Sequence, residues 1–259
     1  MKARLKFTKT GSMKFIGHLD VMRYFQKALR RCDFPVAYSQ GFSPHQMISF
    51  AAPLGVGLTS DGEYMDLTLT EWPGSTEEIL QRLNGEMNEE IRVTGFVRIP
   101  DDAKPSMALV CAADYLVSLK EGELRDFEKS FAEFMAQKEI MVRKKTKRSE
   151  VLMDIRPFIY QFAFEPFSPM EDSVAEYQEV PAKVWLKLCT GSVTNIKPDL
   201  VMEAYYNFMD LSYPPFAWQV HRLEVYTDIA EAETEHEFIP LLQFTADSPE
   251  GAVPGEVTE

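Results

Sequence analysis

The chain has 259 residues, 45% of them hydrophobic, which suits one large domain or two of ~100 residues each. No run of about 18 apolar residues occurs, so no membrane-spanning helix is expected. The opening Met1-Lys2-Ala3-Arg4-Leu5-Lys6-Phe7 lacks the continuous apolar stretch of a signal peptide. The net charge of −13 hides an asymmetry: residues 1–50 hold nine Lys/Arg against two Asp/Glu, whereas residues 228–259 hold nine Asp/Glu and no Lys/Arg. Three distant cysteines, Cys32, Cys111 and Cys189, argue against a disulfide framework and for a reducing, cytoplasmic setting.

Residues 2–8 alternate as a half-buried strand, with Ala3, Leu5 and Phe7 on one side and Lys2, Arg4, Lys6 and Thr8 on the other. Thr10-Gly11-Ser12 ends it. A helix follows over 17–31, with Leu19, Met22, Phe25, Ala28 and Leu29 as its apolar face. Asp20, Arg23, Lys27 and Arg30 form a polar stripe at spacings of three and four. Phe34 to His45 reads as a loop with Pro35, Gly41 and Pro44. Strands follow over 47–52 and 63–70. Ser75 and Glu78 form a capping box that opens a helix with Ile79, Leu80, Leu83 and Met87 inward. Residues 91–99 are a strand, ended by Pro100-Asp101-Asp102.

This β-α-β-β-α-β order is that of the ferredoxin-like split βαβ motif. The next 120 residues repeat it less clearly. Strands are expected at 114–120, 139–145, 182–189 and 216–228. One helix carries Leu124, Phe127, Phe131, Phe134 and Met135. Another begins near Asn195, with Pro198 in its first turn. Residues 151–181 interrupt the pattern. The expected architecture is α+β: two tandem ferredoxin-like (βαββαβ) halves, residues 1–104 and a decorated 105–228. An acidic tail, 229–259, is expected to be disordered from about Ala246.

Two helices cover one face of a ferredoxin-like sheet. The other face of the first half is expected to show Lys2, Arg4, Lys6, Arg92, Phe96 and Arg98, with Tyr64 beside them. Cations interleaved with aromatics on an open sheet suit single-stranded RNA. Ordinary solvated strand faces, or sheet-on-sheet packing of the two halves, explain the same pattern. The run Arg143-Lys-Lys-Thr-Lys-Arg148, with Arg23, Lys27, Arg30 and Arg31, would extend a phosphate-facing surface.

His18, Asp20 and Arg23 stand at a helix start, and His45 closes the turn-rich loop Ser39-Gln-Gly-Phe-Ser-Pro-His45. A His pair near Arg and Ser suits acid–base work on a phosphodiester. It equally suits ligand binding without chemistry, or turns that satisfy their own backbone. No metal-ligand spacing, phosphate-binding glycine loop or Cys-x-x-x-Cys-x-x-Cys cluster motif occurs, so no cofactor is expected.

Several segments together resemble the signature of the radical-SAM-linked protein family: Gly17-His-Leu-Asp-Val-Met-Arg23, Ala28-Leu-Arg-Arg31, Pro35-Val-Ala-Tyr-Ser-Gln-Gly-Phe-Ser-Pro-His45, Ile48-Ser-Phe-Ala-Ala-Pro-Leu-Gly55, Ser60-Asp-Gly-Glu63 and Asp154-Ile-Arg-Pro157. The match is dense over 1–70 and thinner to about 227. Members occur alone or as the C-terminal part of a longer radical-SAM protein, and lone members are often encoded near such a protein and a ribonuclease of the E/G type. The resemblance implies an accessory domain that presents RNA or a modified macromolecule to a radical-SAM partner. It carries over His18, Asp20, Arg23, Ser39, Gln40, Gly41, Phe42, Pro44, Glu63, Asp154 and Arg156 as ligand-binding candidates. Two other readings remain. One is a metal-independent RNA endonuclease of tandem ferredoxin-like build, similar to CRISPR repeat-processing proteins; the glycine-rich loop expected near the end of the last strand in that group is absent, and Leu211-Ser-Tyr-Pro-Pro215 stands before the strand instead. The other is a protein–protein adaptor with no nucleic-acid role.

Overall fold

The computed structural model describes residues 1–145, 150–167, 180–231 and 235–245. Two units emerge: residues 1–112 with the stretch from Glu224 onward, and residues 113–223.

In the first unit β1 (Lys2–Lys9) leads through a 3₁₀ turn at Gly11–Phe15 into α1 (His18–Arg31). Then come β2 (Ile48–Phe50), β3 (Thr59–Thr68), α2 (Thr76–Asn84), β4 (Val93–Ile99) and the single turn α3 (Ser106–Leu109). The sheet runs β4-β1-β3, with β2 on the far edge of β3. Element order and strand neighbours are those of a split βαβ unit. The capping box at the start of α2 forms as the sequence predicts, with the Glu78 amide donating to Ser75 Oγ and the Ser75 amide to Glu78 Oε2.

The helices lie on the face that carries Ala3, Leu5 and Phe7. Val21, Phe25, Ala28 and Leu29 are the buried stripe of α1, at the i, i+4, i+7, i+8 spacing of one helix face. Leu19 lies two residues, about 200°, away from Val21 and is exposed rather than inward as expected. Phe7, Phe25 and Phe50 meet edge to face at 4.7–6.0 Å, the arrangement their ring quadrupoles favour.

The second unit runs β5 (Ala112–Leu119, all but its first residue), α4 (Phe127–Met135), β6 (Met141–Lys145), β7 (Glu150–Asp154), β8 (Ile159–Ala163), β9 (Lys183–Cys189), α5 (Pro198–Phe208) and the first part of β10 (Trp218–Asp228). Its strand order, β10-β5-β9-β8, repeats that of the first unit. One assignment changes. Residues 141–145, expected as the second strand of this half, pair instead with β7 in a separate hairpin, and β8 takes the place beside β9. Phe127, Phe131 and Phe134 of α4 pack on Tyr205 of α5 at 5.2–5.7 Å.

The chain then returns to the first unit. The end of β10 pairs with β11 (Phe238–Pro240), followed by a 3₁₀ turn at Leu241–Gln243. This segment lies on the sheet face that the sequence predicts to be open. Arg4 is 0% exposed: its Nε and Nη2 donate to the two Asp66 oxygens and its Nη1 to the Leu241 carbonyl. Lys6 binds Glu224 at 2.8 Å, and the Tyr64 hydroxyl donates to the other oxygen of Glu224. Leu242 sits against Gly95 on β4. Residues 246–259, expected to be disordered, lie outside the described residues.

Two outcomes follow from this closure. A Cβ at Gly95 would stand 2.5 Å from Leu242 Cδ2. Gly95→Ala is therefore expected to cost about 1–3 kcal/mol as overpacking and to speed amide exchange selectively at residues 238–245. Asp228 holds the β10–β11 connection, accepting from the Ala230 and Glu237 amides and from His236 Nδ1 at 2.6 Å. Burial alone would push its carboxyl up, but these hydrogen bonds outweigh it and hold it below the usual aspartate range. The stabilisation is thus present above the unfolded-state value of roughly 3.9 and is lost as pH falls through the lowered folded value. The protection of the β11 amides, taken relative to the intrinsic exchange rate at each pH, is expected to fall there in the parent and to be low already at neutral pH in Asp228→Asn.

Candidate functional site

The candidates in the first half fall into two places. At the entry to α1, Lys9 is buried and its Nζ donates to the Ile16 carbonyl at 3.0 Å. That fixes the chain just before Gly17, which caps the helix. His18, the first helical residue, stands edge-on to Phe50 at 5.0 Å. Asp20 and Arg23 pair at 3.2 Å but are more than half exposed, so the pair contributes little stability. Around this entry Phe15 and Leu19 are 66% and 59% exposed. The Gly57 amide donates to the Lys14 carbonyl, and its neighbour Val56 is exposed. Glu63 is buried on β3 opposite Phe7, and Asp61 is buried two residues before it. Lys9, Asp61 and Glu63 all have partners within the protein.

The second place is the loop that follows. Tyr38 bridges to Gln46, and the Ser39 amide donates to the His45 carbonyl. Ser39 Oγ accepts from the His45 amide at 3.1 Å and lies 2.8 Å from His45 Nδ1. Ser39 and His45 thus close their own loop. No hydrogen bond among the described residues links His18 to His45 or gives His45 an orienting carboxylate, so the Ser39–His45 pair lacks the third group of a relay. Gly41 takes φ +114°, open to glycine. At the tip, Gln40 is exposed and the Phe42 side chain lies wholly in solvent.

Beside the loop is a cleft of about 270 Å³. Ser39 and His45 wall one side; Met47, Ile48, Leu67, Ile99 and Pro105 supply the apolar part, with Lys2, Ser49 and Asp66 among the polar groups. Gln46 also lines it, only 6% exposed, and its Oε1 has no hydrogen-bond partner. Sequence reading passed over Gln46, Met47 and Asp66. Nothing in their spacing marks them, because strand pairing across the β2–β3 edge is what brings them together.

The other candidates do not join these sites. Phe96 is buried with the helix-side core, paired in register with Leu5, and Arg98 stands opposite Ala3 on that same side. Arg92 Nη1 donates to the carbonyl of Asn84 at the end of α2. The RNA surface expected from Lys2, Arg4, Lys6, Arg92, Phe96 and Arg98 is therefore not assembled. β4 presents the opposite parity, and the C-terminal segment covers Arg4 and Lys6. Of the run Arg143–Arg148, residues 146–148 lie outside the described residues.

Asp154 and Arg156, in the second unit, form a structural knot. Asp154 Oδ1 accepts from the Ile140 and Arg156 amides at 2.8 and 2.9 Å. Arg156 donates to the carbonyls of Met135, the last residue of α4, and Ile159. Arg156→Ala strands these acceptors and is expected to cost about 1.5–3 kcal/mol, read as a fall in the denaturant midpoint of the second unit. Arg156→Lys, which cannot reach two carbonyls with one planar group, should recover only part of it.

Among the described residues no group of His, Cys, Asp or Glu is placed to hold a metal ion, and no helix is long and apolar enough to cross a membrane. No curated protein matches the chain. Residues 2–198 match a family described as an uncharacterized protein conserved in bacteria (DUF2344), a description that assigns no activity. The match takes in both the α1 entry and the loop–cleft site, and on its extent the chain belongs to that family.

Proposed function

We propose that the protein is an accessory binding module that partners a radical SAM enzyme through protein–protein contact made by the first unit. The observation that carries this reading is the Tyr38–Gln46 loop. Its backbone is pinned by Ser39 and His45 while it holds the whole Phe42 ring in water. An exposed aromatic on a rigid support keeps its apolar surface at little entropic cost when a partner covers it. Phe15, Leu19 and Val56 add exposed apolar surface at the entry to α1. The motif resemblance, and the absence from this sequence of the Cys-x-x-x-Cys-x-x-Cys ligands, support a radical SAM protein as the partner rather than this chain as the enzyme. Presentation of RNA by the sheet face has lost its geometric support, since Arg4 is buried and Lys6 is bound to Glu224.

The test is anaerobic affinity purification of the tagged full chain from its own bacterium, beside Phe42→Ser, with and without ribonuclease. A radical SAM protein recovered with the parent, unaffected by ribonuclease and reduced about fivefold or more by Phe42→Ser, is the expected result. Absence of such a protein, or equal recovery with the variant, overturns the reading. Loss on ribonuclease treatment would restore RNA as the bridge.

A further inference from the structure

Helix α1 turns two unlike faces outward and inward. Val21, Phe25, Ala28 and Leu29 are spent on the core. On the opposite side Leu19, Arg23, Lys27 and Arg30 are all exposed and, at about 100° per residue, fall within about 80° of one another. The stripe is cationic in a chain whose net charge is −13. Asp20 is the only carboxylate of the helix, and its pair with Arg23 is more than half exposed and so weakly held. Arg30 Nε donates to the Gln26 carbonyl of its own helix. Lys27 has no ion-pair partner among the described residues. Arg31 is already bound to Glu86. Three cations are thus open to an anionic partner.

The geometry separates the kinds of anion. A membrane surface takes up apolar side chains along a helix, and α1 offers only Leu19 outward. Single-stranded nucleic acid is held by cations together with rings that stack on bases. No ring stands on this stripe: Tyr24 is half-buried, its hydroxyl accepting from the Asn88 amide, and Phe15 precedes the helix with Lys14 over its ring. A second helix has the same rise as α1. The three cations stand about 6 and 4.5 Å apart along the axis, and Asp or Glu at spacings of four and three on an opposing helix reproduces both distances. Leu19 stands one turn beyond Arg23, where an apolar residue ends the match.

We infer that the outer face of α1 docks an acidic helix of the partner protein, whose carboxylates recur at spacings of three and four to meet Arg23, Lys27 and Arg30 and whose apolar end covers Leu19. The inference rests on the protein-partner reading above and names the segment which that partner contributes. Exposed charges of this kind set register, encounter rate and choice of partner more than raw affinity, and Leu19 supplies the apolar anchor.

A displayed library of helical peptides of about 18 residues, long enough to hold a helix, is selected on the full chain. The enriched peptides should carry Asp or Glu at spacings of three and four with an apolar residue toward one end. Their affinity, read by fluorescence anisotropy, should fall about tenfold or more in Lys27→Glu/Arg30→Glu, fall about threefold or more in Leu19→Ser, and weaken as salt rises from about 50 to about 500 mM. Asp20→Asn, which releases Arg23, should strengthen it. Carboxylates late in a helix oppose its dipole, so Lys27→Gln/Arg30→Gln serves as a second variant: its melting temperature should match that of the parent while its affinity lies between those of the parent and the charge reversal. Enrichment of neutral or basic peptides, affinity indifferent to these variants, or displacement of the peptides by single-stranded RNA or phosphatidylserine vesicles that bind the parent more tightly would each overturn the inference. Undiminished recovery of the radical SAM protein with Lys27→Glu/Arg30→Glu would also overturn it, yet leave the partner reading intact with its contact at Phe42. Acidic helices that behave as expected, with no radical SAM protein recovered from cells, would keep the docking face and remove that identity for the partner.

Discussion

The first unit is organised around one buried guanidinium. Taking a guanidinium out of water is costly, so a position with no solvent access is tenable only if its donors are met. Asp66 meets two of them and the Leu241 carbonyl a third. Asp66 in turn accepts from the Ser106 amide. Four separate stretches of chain are therefore joined at one point: β1, β3, the start of α3 and the turn after β11. Removing any one partner would leave a charge or a carbonyl stranded away from water.

The same network decides the character of that sheet face. Lys6 and the Tyr64 hydroxyl share Glu224, and burial, with the Glu224 charge adding to it, pushes the Tyr64 phenol far above its ordinary range. Tyr64 is thus a permanent donor. A face that looks cationic and aromatic in one dimension becomes an internal, charge-balanced layer under Leu241 and Leu242. What the fold leaves outside is different in kind: Phe42 at a loop tip, Phe15 and Leu19 at a helix entry, and an aliphatic cleft between loop and strand edge.

Motif residues that read alike in sequence serve unlike ends. Ser39 and His45 are spent on each other, yet by closing the loop they hold Phe42 out and form one wall of the cleft. Asp154 and Arg156 look as suited to a ligand as any pair in the chain, but they close a hairpin and cap α4 from within. Side chains that satisfy backbone groups are as constrained as those that meet ligands, and only their partners tell the two apart.

The sequence by itself determined the element order of the first unit, the capping box at Ser75, the helix-facing side of β1 and the aromatic stripe of α4. These depend on periodicity and on neighbours a few residues away. It pointed to the loop Ser39–His45, because turn residues and a lone aromatic stand out locally. It did not determine the face on which Phe96 lies, since alternation fixes which residues share a side but not which side, and the shift in register between β1 and β4 resets the parity. Nor did it show that residues 238–242 would return across more than two hundred positions to cover Arg4, or that Gln46 would be left with an unpaired acceptor beside Met47 and Asp66. Those outcomes belong to tertiary structure, because each depends on which distant strand edge or carbonyl meets a side chain, and no local pattern encodes a partner that far along the chain.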